Sequence, residues 1–110
     1  MSVIELQAIP HQTHDGLPYT HLRIRIVNES GVIVPGDLKG VRLASNVDPR
    51  LGIVIEGKAP IWLYVYLVGE CTPAAWTGCY DPRLGIVVVA SHIPDVSAGD
   101  VLKVDLPTSF

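Results

Sequence analysis

A chain of 110 residues with 48% hydrophobic and 17% charged residues describes one domain, over 1–110, with enough apolar material for a real core. The formal net charge of −3, with only eight Lys and Arg, excludes a general binder of duplex DNA or single strands, which carries a basic face. Any nucleic-acid ligand is therefore small and held by a local cluster, and part of the apolar content is expected to be buried between subunits.

In chain order, Ser2 to Ile9 is a first strand, and His11 to Pro18 (HQTHDGLP) reads as a turn or loop. Thr20 to Val27 alternates, with Leu22, Ile24 and Ile26 on one face and His21, Arg23 and Arg25 on the other, a half-buried strand. Pro35-Gly36-Asp37 opens a short helix over Leu38 to Leu43, weakened by Gly40. Leu51 to Ile55 is a short apolar strand. After GKAP, the run IWLYVYLVGECT alternates like a strand but is apolar all round like a buried helix. Gly57 and Pro60 in front favour a helix, since proline suits a helix start. Trp76 to Tyr80, Gly85 to Ala90 and Val101 to Leu106 are three further strands. The order β β α β α β β β predicts an α+β fold with two helices covering one face of a sheet.

The amino terminus carries no basic region followed by an apolar run, and the longest apolar stretch, Ala59 to Val68, is about half a membrane span. Cys71 and Cys79 have neither CxxC spacing nor further soft ligands nearby. These features predict a cytoplasmic domain with reduced thiols.

One heptapeptide occurs twice: DPRLGIV at Asp48–Val54 and again at Asp81–Val87. Asp, Pro and a later Gly suit a β-turn leading into a strand. The turn accounts for those residues without any further role. It does not account for Arg50 and Arg83, which on a turn tip can clamp a phosphate. His92 lies at the exit of the strand after the second copy and is expected across the hairpin from Tyr80 and Asp81. Carboxylate, guanidinium and imidazole at one hairpin base would serve phosphoryl transfer. Lys58 stands at the expected helix start, where anions are attracted, although GKAP is not a P-loop. His11, His14, Asp15 and His21 would bind a metal only if they converge. No GxSxG or GxGxxG occurs.

The blocks GKAPIWLYVYL, YDPRLGIVVVASH and AGDVLKV resemble the signature blocks of a small family of CRISPR-associated ring nucleases that accompany type III CRISPR systems. The resemblance spans about Asn46 to Val104. It implies a ferredoxin-like α+β fold related to the CRISPR-associated Rossmann sensors, and a homodimer or homotetramer. It also implies cleavage of cyclic tetra-adenylate, some trimming of short RNA, and support by Mn2+. Residue by residue, the family's catalytic Asp and Arg correspond to Asp81 and Arg83, and its histidine after the apolar strand to His92. The position of a further, metal-associated histidine is Thr72 here, a departure that weakens the case for metal.

The mechanism expected from this resemblance is phosphodiester cleavage in which RNA supplies its own 2′-hydroxyl. Arg83 would hold the phosphate and His92 would move the proton, histidine being the side chain that exchanges protons near neutrality. Asp81 would orient His92 or share Mn2+ with it, and Arg50 and Lys58 would contact neighbouring phosphates. The alternative is a sensor or sponge that retains the ring nucleotide without hydrolysing it; a purely structural module would make both turns only turns.

Overall fold

The computed structural model describes residues 3–43 and 47–107. The expected start of the first strand at Ser2 and of the family blocks at Asn46 lie outside these residues. Six strands and two helical segments follow one another in the expected order. They are β1 (Ile4–Gln12), β2 (Pro18–Ile26), a 3₁₀ helix (Pro35–Gly40), β3 (Gly52–Glu56), α1 (Ile61–Glu70), β4 (Trp76–Asp81), β5 (Gly85–Ser91) and β6 (Val101–Leu102). The fold is α+β, a mixed sheet with two helices, compatible with the ferredoxin-like expectation. No helix among the described residues is long and apolar enough to cross a membrane.

The strands lie in the sheet in chain order, β1 to β6. Hairpins pair β1 with β2 and β4 with β5, while β2–β3 and β3–β4 are parallel. Parallel neighbours need a crossover, and the 3₁₀ helix and α1 supply the two. Both pack on the same face, because right-handed crossovers advancing in one direction leave their helices on one side. There Leu38, Leu63 and Leu67 meet Leu22, Ile24, Ile53 and Ile55.

The opposite face carries a second cluster of Tyr19, Val54, Trp76, Ile86, Val88 and Val96. The C-terminal segment covers it. Leu102 and Val104 pack on this cluster, and the His14 N–H donates to the Lys103 carbonyl at 2.9 Å. Trp76 sets the packing here: a Cβ added to Gly52 would lie 1.9 Å from its Cε2, and one added to Gly78 3.5 Å from its Cζ3. Gly52 thus makes room for the indole, whereas Gly78 makes room for Ile86, whose Cγ2 would lie 2.6 Å from an added Cβ.

Three local expectations change and one, the helix after Pro60, holds. The first strand runs on to Gln12, so His11 sits in a strand; Pro10 is tolerated because β1 is an edge. The first helix is a 3₁₀ turn that ends at Gly40, with the Asp37 carboxylate accepting from the Val34 N–H at 2.8 Å. The run after Pro60 is a helix, with Pro60 just before its first turn. The last strand pairs only over Val101–Leu102, and the residues beyond serve as a cover instead.

Candidate functional site

The two DPRLG copies fold into the same turn. In each, the Leu N–H donates to the Asp carbonyl (Leu51 to Asp48 and Leu84 to Asp81, both 3.1 Å). In each, the Asp Oδ1 accepts from the Arg backbone N–H, at 2.9 Å for Arg50 and 2.7 Å for Arg83. The Asp side chain thereby mimics one more turn of backbone. Hydrogen bonds from the Arg50 side chain and then its backbone hold the Asp48 carboxyl below its usual range. For Asp81 the Arg83 backbone contributes most, then its side chain.

The guanidinium groups differ. Arg50 donates through Nε (3.1 Å) and Nη2 (2.9 Å) to both oxygens of Asp48, a bidentate clamp. Arg83 makes one contact to Asp81, at 3.4 Å, and its side chain is 85% exposed. Both guanidinium groups are exposed, Arg50 at 87% and Arg83 at 85%, and Arg83 is the more loosely held.

The turns also lie at opposite ends of the sheet. The first enters β3 and the second leaves β4, which runs parallel to β3. His92 is at the end of the first turn, not the second. The register pairs Asp81 with Gly85 and Trp76 with Ser91, which places His92 beyond the other end of the β4–β5 hairpin. Six residues of strand, from Ala75 opposite His92 to Asp81, at about 3.4 Å each separate the two by about 20 Å. This corrects the expectation that His92 lies across from Tyr80 and Asp81. The His92 N–H donates to the Ala75 carbonyl (2.8 Å), and the Ala75 N–H to the Leu51 carbonyl (3.1 Å). His92 Nε2–H donates to the Thr72 carbonyl at 2.9 Å, which leaves Nδ1 as an acceptor. Thr72 and His92 both line a pocket of about 200 Å3 over Ala74, Trp76 and Ala90.

The same register decides the metal question within one chain. Asp81 and His92 cannot hold one ion across that distance, and among the described residues no three His, Cys, Asp or Glu side chains converge. The residues of a single chain do not fit the Mn2+ that the resemblance implies. The amino-terminal histidines do not converge on a metal either. His11 Nε2–H donates to the Asp105 carbonyl (2.6 Å), and His14 approaches the Asp105 carboxylate (3.2 Å). They tie down the C-terminal segment.

His21 is fully buried on β2, the third of these histidines with a structural tie and a correction to the half-buried polar face expected for the strand. Its Nε2–H donates to Glu56 Oε1 at 2.8 Å, beside the Arg23 Nε–H at 2.6 Å. The Tyr19 hydroxyl lies 3.4 Å from Nδ1. Burial pushes the His21 pKa down, which outweighs the pull of Glu56 and keeps the ring neutral. Burial pushes Glu56 up, but the bonds from His21 and Arg23 outweigh it and hold the carboxyl below its usual range. The two cysteines are free thiols; burial pushes Cys79 up and Cys71 up to about 12, so both are inert.

At the end of the second turn, Glu56, Gly57, Lys58, Tyr64, Tyr80 and Pro82 line a cavity of about 430 Å3, with Leu106 of the C-terminal segment. Pro82 is the residue before Arg83. Ligands of sheets with parallel strands settle outside the carboxyl ends of those strands, and β3 and β4 end here. Lys58 lies at this end of the sheet, shortly before α1, together with Asp81 and Arg83. Arg50 and His92 share the other end. Glu56 and Tyr64 are not among the expected site residues, and Tyr80 is expected only as a neighbour of His92. The available signal was alternation: Val54 and Glu56 fall on the face opposite Ile53 and Ile55.

Comparison with known proteins bears on what these two ends belong to. The chain is 43% identical over 75 residues to an uncharacterized protein of Aquifex aeolicus (strain VF5), covering 64% of this chain and 68% of that protein. The family described as CRISPR-associated protein (Cas_csx3) matches residues 26–103, a span that takes in both DPRLG turns, α1, the cavity-lining residues up to Pro82, and His92. With most of its length and both ends of its sheet inside that match, the chain belongs to the Cas_csx3 family of CRISPR-associated proteins.

Proposed function

We propose that the protein is a ring nuclease: it binds cyclic tetra-adenylate and cleaves one phosphodiester, ending a type III CRISPR signal in the cytoplasm. The observation that carries this reading is Arg83, exposed on its turn tip and loosely held, beside a cavity rimmed by Lys58. In the reaction the 2′-oxygen attacks the adjacent phosphorus and the bond to the 5′-oxygen breaks. The proton leaves the 2′-hydroxyl and one returns to the 5′-oxygen. Arg83 neutralises the phosphate oxygens. His92, with Nδ1 open to accept, moves the proton. The proposal includes no step through a metal ion.

The hairpin keeps His92 about 20 Å from Asp81, with Arg83 on the turn beyond it. One phosphate meets both only if two copies share the site, which a symmetric assembly around a ring provides. The surface of α1 supports assembly: Ile61 is 79% and Val65 67% exposed. Two copies of α1 set antiparallel about Val65 place each Ile61 against the other copy's Gly69, where an added Cβ meets nothing within 4 Å.

The test uses labelled cyclic tetra-adenylate with and without Mn2+. Linear products are expected from the native protein, none from Asp81→Ala or His92→Ala alone, and partial recovery on mixing the two variants. A native protein that neither binds nor cleaves the ring ends this reading. Retention without products selects the sensor reading, which Thr72 favours by standing where the family resemblance places a histidine.

A further inference from the structure

The cavity at the carboxyl ends of β3 and β4 has a composition that selects its occupant. Its volume, about 430 Å3, lies in the range of small-molecule sites, about 300–1,000 Å3. Two aromatic rings, Tyr64 and Tyr80, and the side chains of Pro82 and Leu106 form its walls. The Tyr64 hydroxyl donates to the Gly57 carbonyl at 2.5 Å, so that ring is fixed before any ligand arrives. Lys58 is exposed at the rim and Glu56 is half-buried behind it.

The carboxylate of Glu56 is oriented from behind. Oε1 accepts from both His21 Nε2 and Arg23 Nε. Among the described residues, Oε2 accepts no hydrogen bond, and Glu56 lines the cavity. Its two donors also keep the group ionised near neutral pH, so Oε2 is an acceptor there.

We propose that this cavity is a nucleobase site in which Glu56 Oε2 reads an exocyclic amino group, while Lys58 at the rim and Arg83 beyond Pro82 take the phosphate of the same nucleotide. This rests on the ring-nuclease reading and names the residue that distinguishes adenine in that ring. A flat base fits between aromatic and apolar walls. An amino group at position 6 of a purine donates to Oε2. A carbonyl at that position sets two acceptors against each other, and a site built around a hydrogen bond rejects a ligand that cannot make it. A guanine edge presents two neighbouring donors and wants two open acceptors; only Oε2 is open.

The test compares the native protein's affinity for adenosine, inosine and purine-riboside 5′-monophosphates, followed by amide shifts of Gly57 and Lys58, and then for the three corresponding cyclic tetranucleotides. The adenine forms are expected to bind about tenfold more tightly than the purine-riboside forms, which lack the amino group, and the inosine forms to bind weakest of all. In Glu56→Gln the side-chain oxygen still accepts from His21 and Arg23, and the amide nitrogen replaces Oε2 as a donor. That variant should prefer inosine over adenine, a reversal that a purely structural Glu56 would not produce. If Glu56→Gln does not fold, the native comparison decides alone. Equal binding of the three bases, or binding of none, overturns the proposal. Monophosphates that discriminate while the adenine ring is not cleaved would sustain the base site and remove the nuclease reading.

Discussion

The two DPRLGIV turns share seven residues and one backbone path, yet they keep their glycines for different reasons. Gly85 has φ +108, and an added Cβ would lie 2.8 Å from the Leu102 carbonyl oxygen; it closes the three-residue loop of the β4–β5 hairpin. Gly52 has no positive φ. It is glycine because Trp76 occupies the space a Cβ would fill. Their arginines diverge as well, Arg50 clamped on its own carboxylate and Arg83 barely held. Both turns are exposed and each borders a cavity, the first through Pro49 and the second through Pro82; they differ in what the glycine packs against and in how tightly the arginine is held. Local sequence determines how a turn closes; the neighbours it meets determine what its side chains are free to do.

The largest effect separating the turns should come from their glycines. Gly52→Ala must displace a buried tryptophan and is expected to cost about 3 kcal/mol, at the upper end for overpacking. Gly85→Ala faces strain at positive φ and contact with a two-residue strand that can shift, an expected cost of about 1–2 kcal/mol. Denaturant titration of both variants measures the order, and a reversal would mean Trp76 is not the seam described. The arginines come next. Arg83→Ala should weaken binding of cyclic tetra-adenylate at least about tenfold, the loss of one charged phosphate contact, and Arg50→Ala by no more than about threefold. Neither should change stability measurably, since both pairs are exposed. Equal losses in binding would place the two ends on the same footing.

The smallest effect is a pH dependence that belongs to the second end alone. The folded-state pKa of His21 lies below the unfolded value of about 6.5, so the unfolded chain takes up its proton first as pH falls. Stability should decline below about pH 6.5. Glu56 is also depressed, so its contribution is present above about pH 4.3 and is lost as pH falls through its folded value. Both act in the same direction. The thermal midpoint should be level from pH 8 to 7 and fall below 6.5. His21→Gln should flatten the upper part of that fall and leave the lower part. A midpoint unchanged between pH 6.5 and 5 in the native protein would contradict a buried neutral His21.

Much of the fold was legible because it rests on local patterns. Alternation marked β2, turn residues marked both ends of β4 and β5, and Gly57 with Pro60 resolved the ambiguous IWLYVYL run as α1. The candidate site was legible only in part. Arg83, Asp81 and Lys58 were found by residue type and do lie at one end of the sheet. His92 was assigned to that end from chain proximity, whereas a hairpin sends its second strand back to the far end. Glu56 was passed over because its value as an acceptor comes from His21 and Arg23, more than thirty positions earlier in the chain.

By itself, the sequence determined the element order, the two identical turns, the apolar faces of the strands and the family, because each depends on residues near one another in the chain. Only the tertiary structure decided which cavity each turn borders, which arginine is the more loosely held, and that His92 stands apart from Asp81. Those outcomes depend on strand direction and register, which bring together or separate groups by distances that no local spacing encodes.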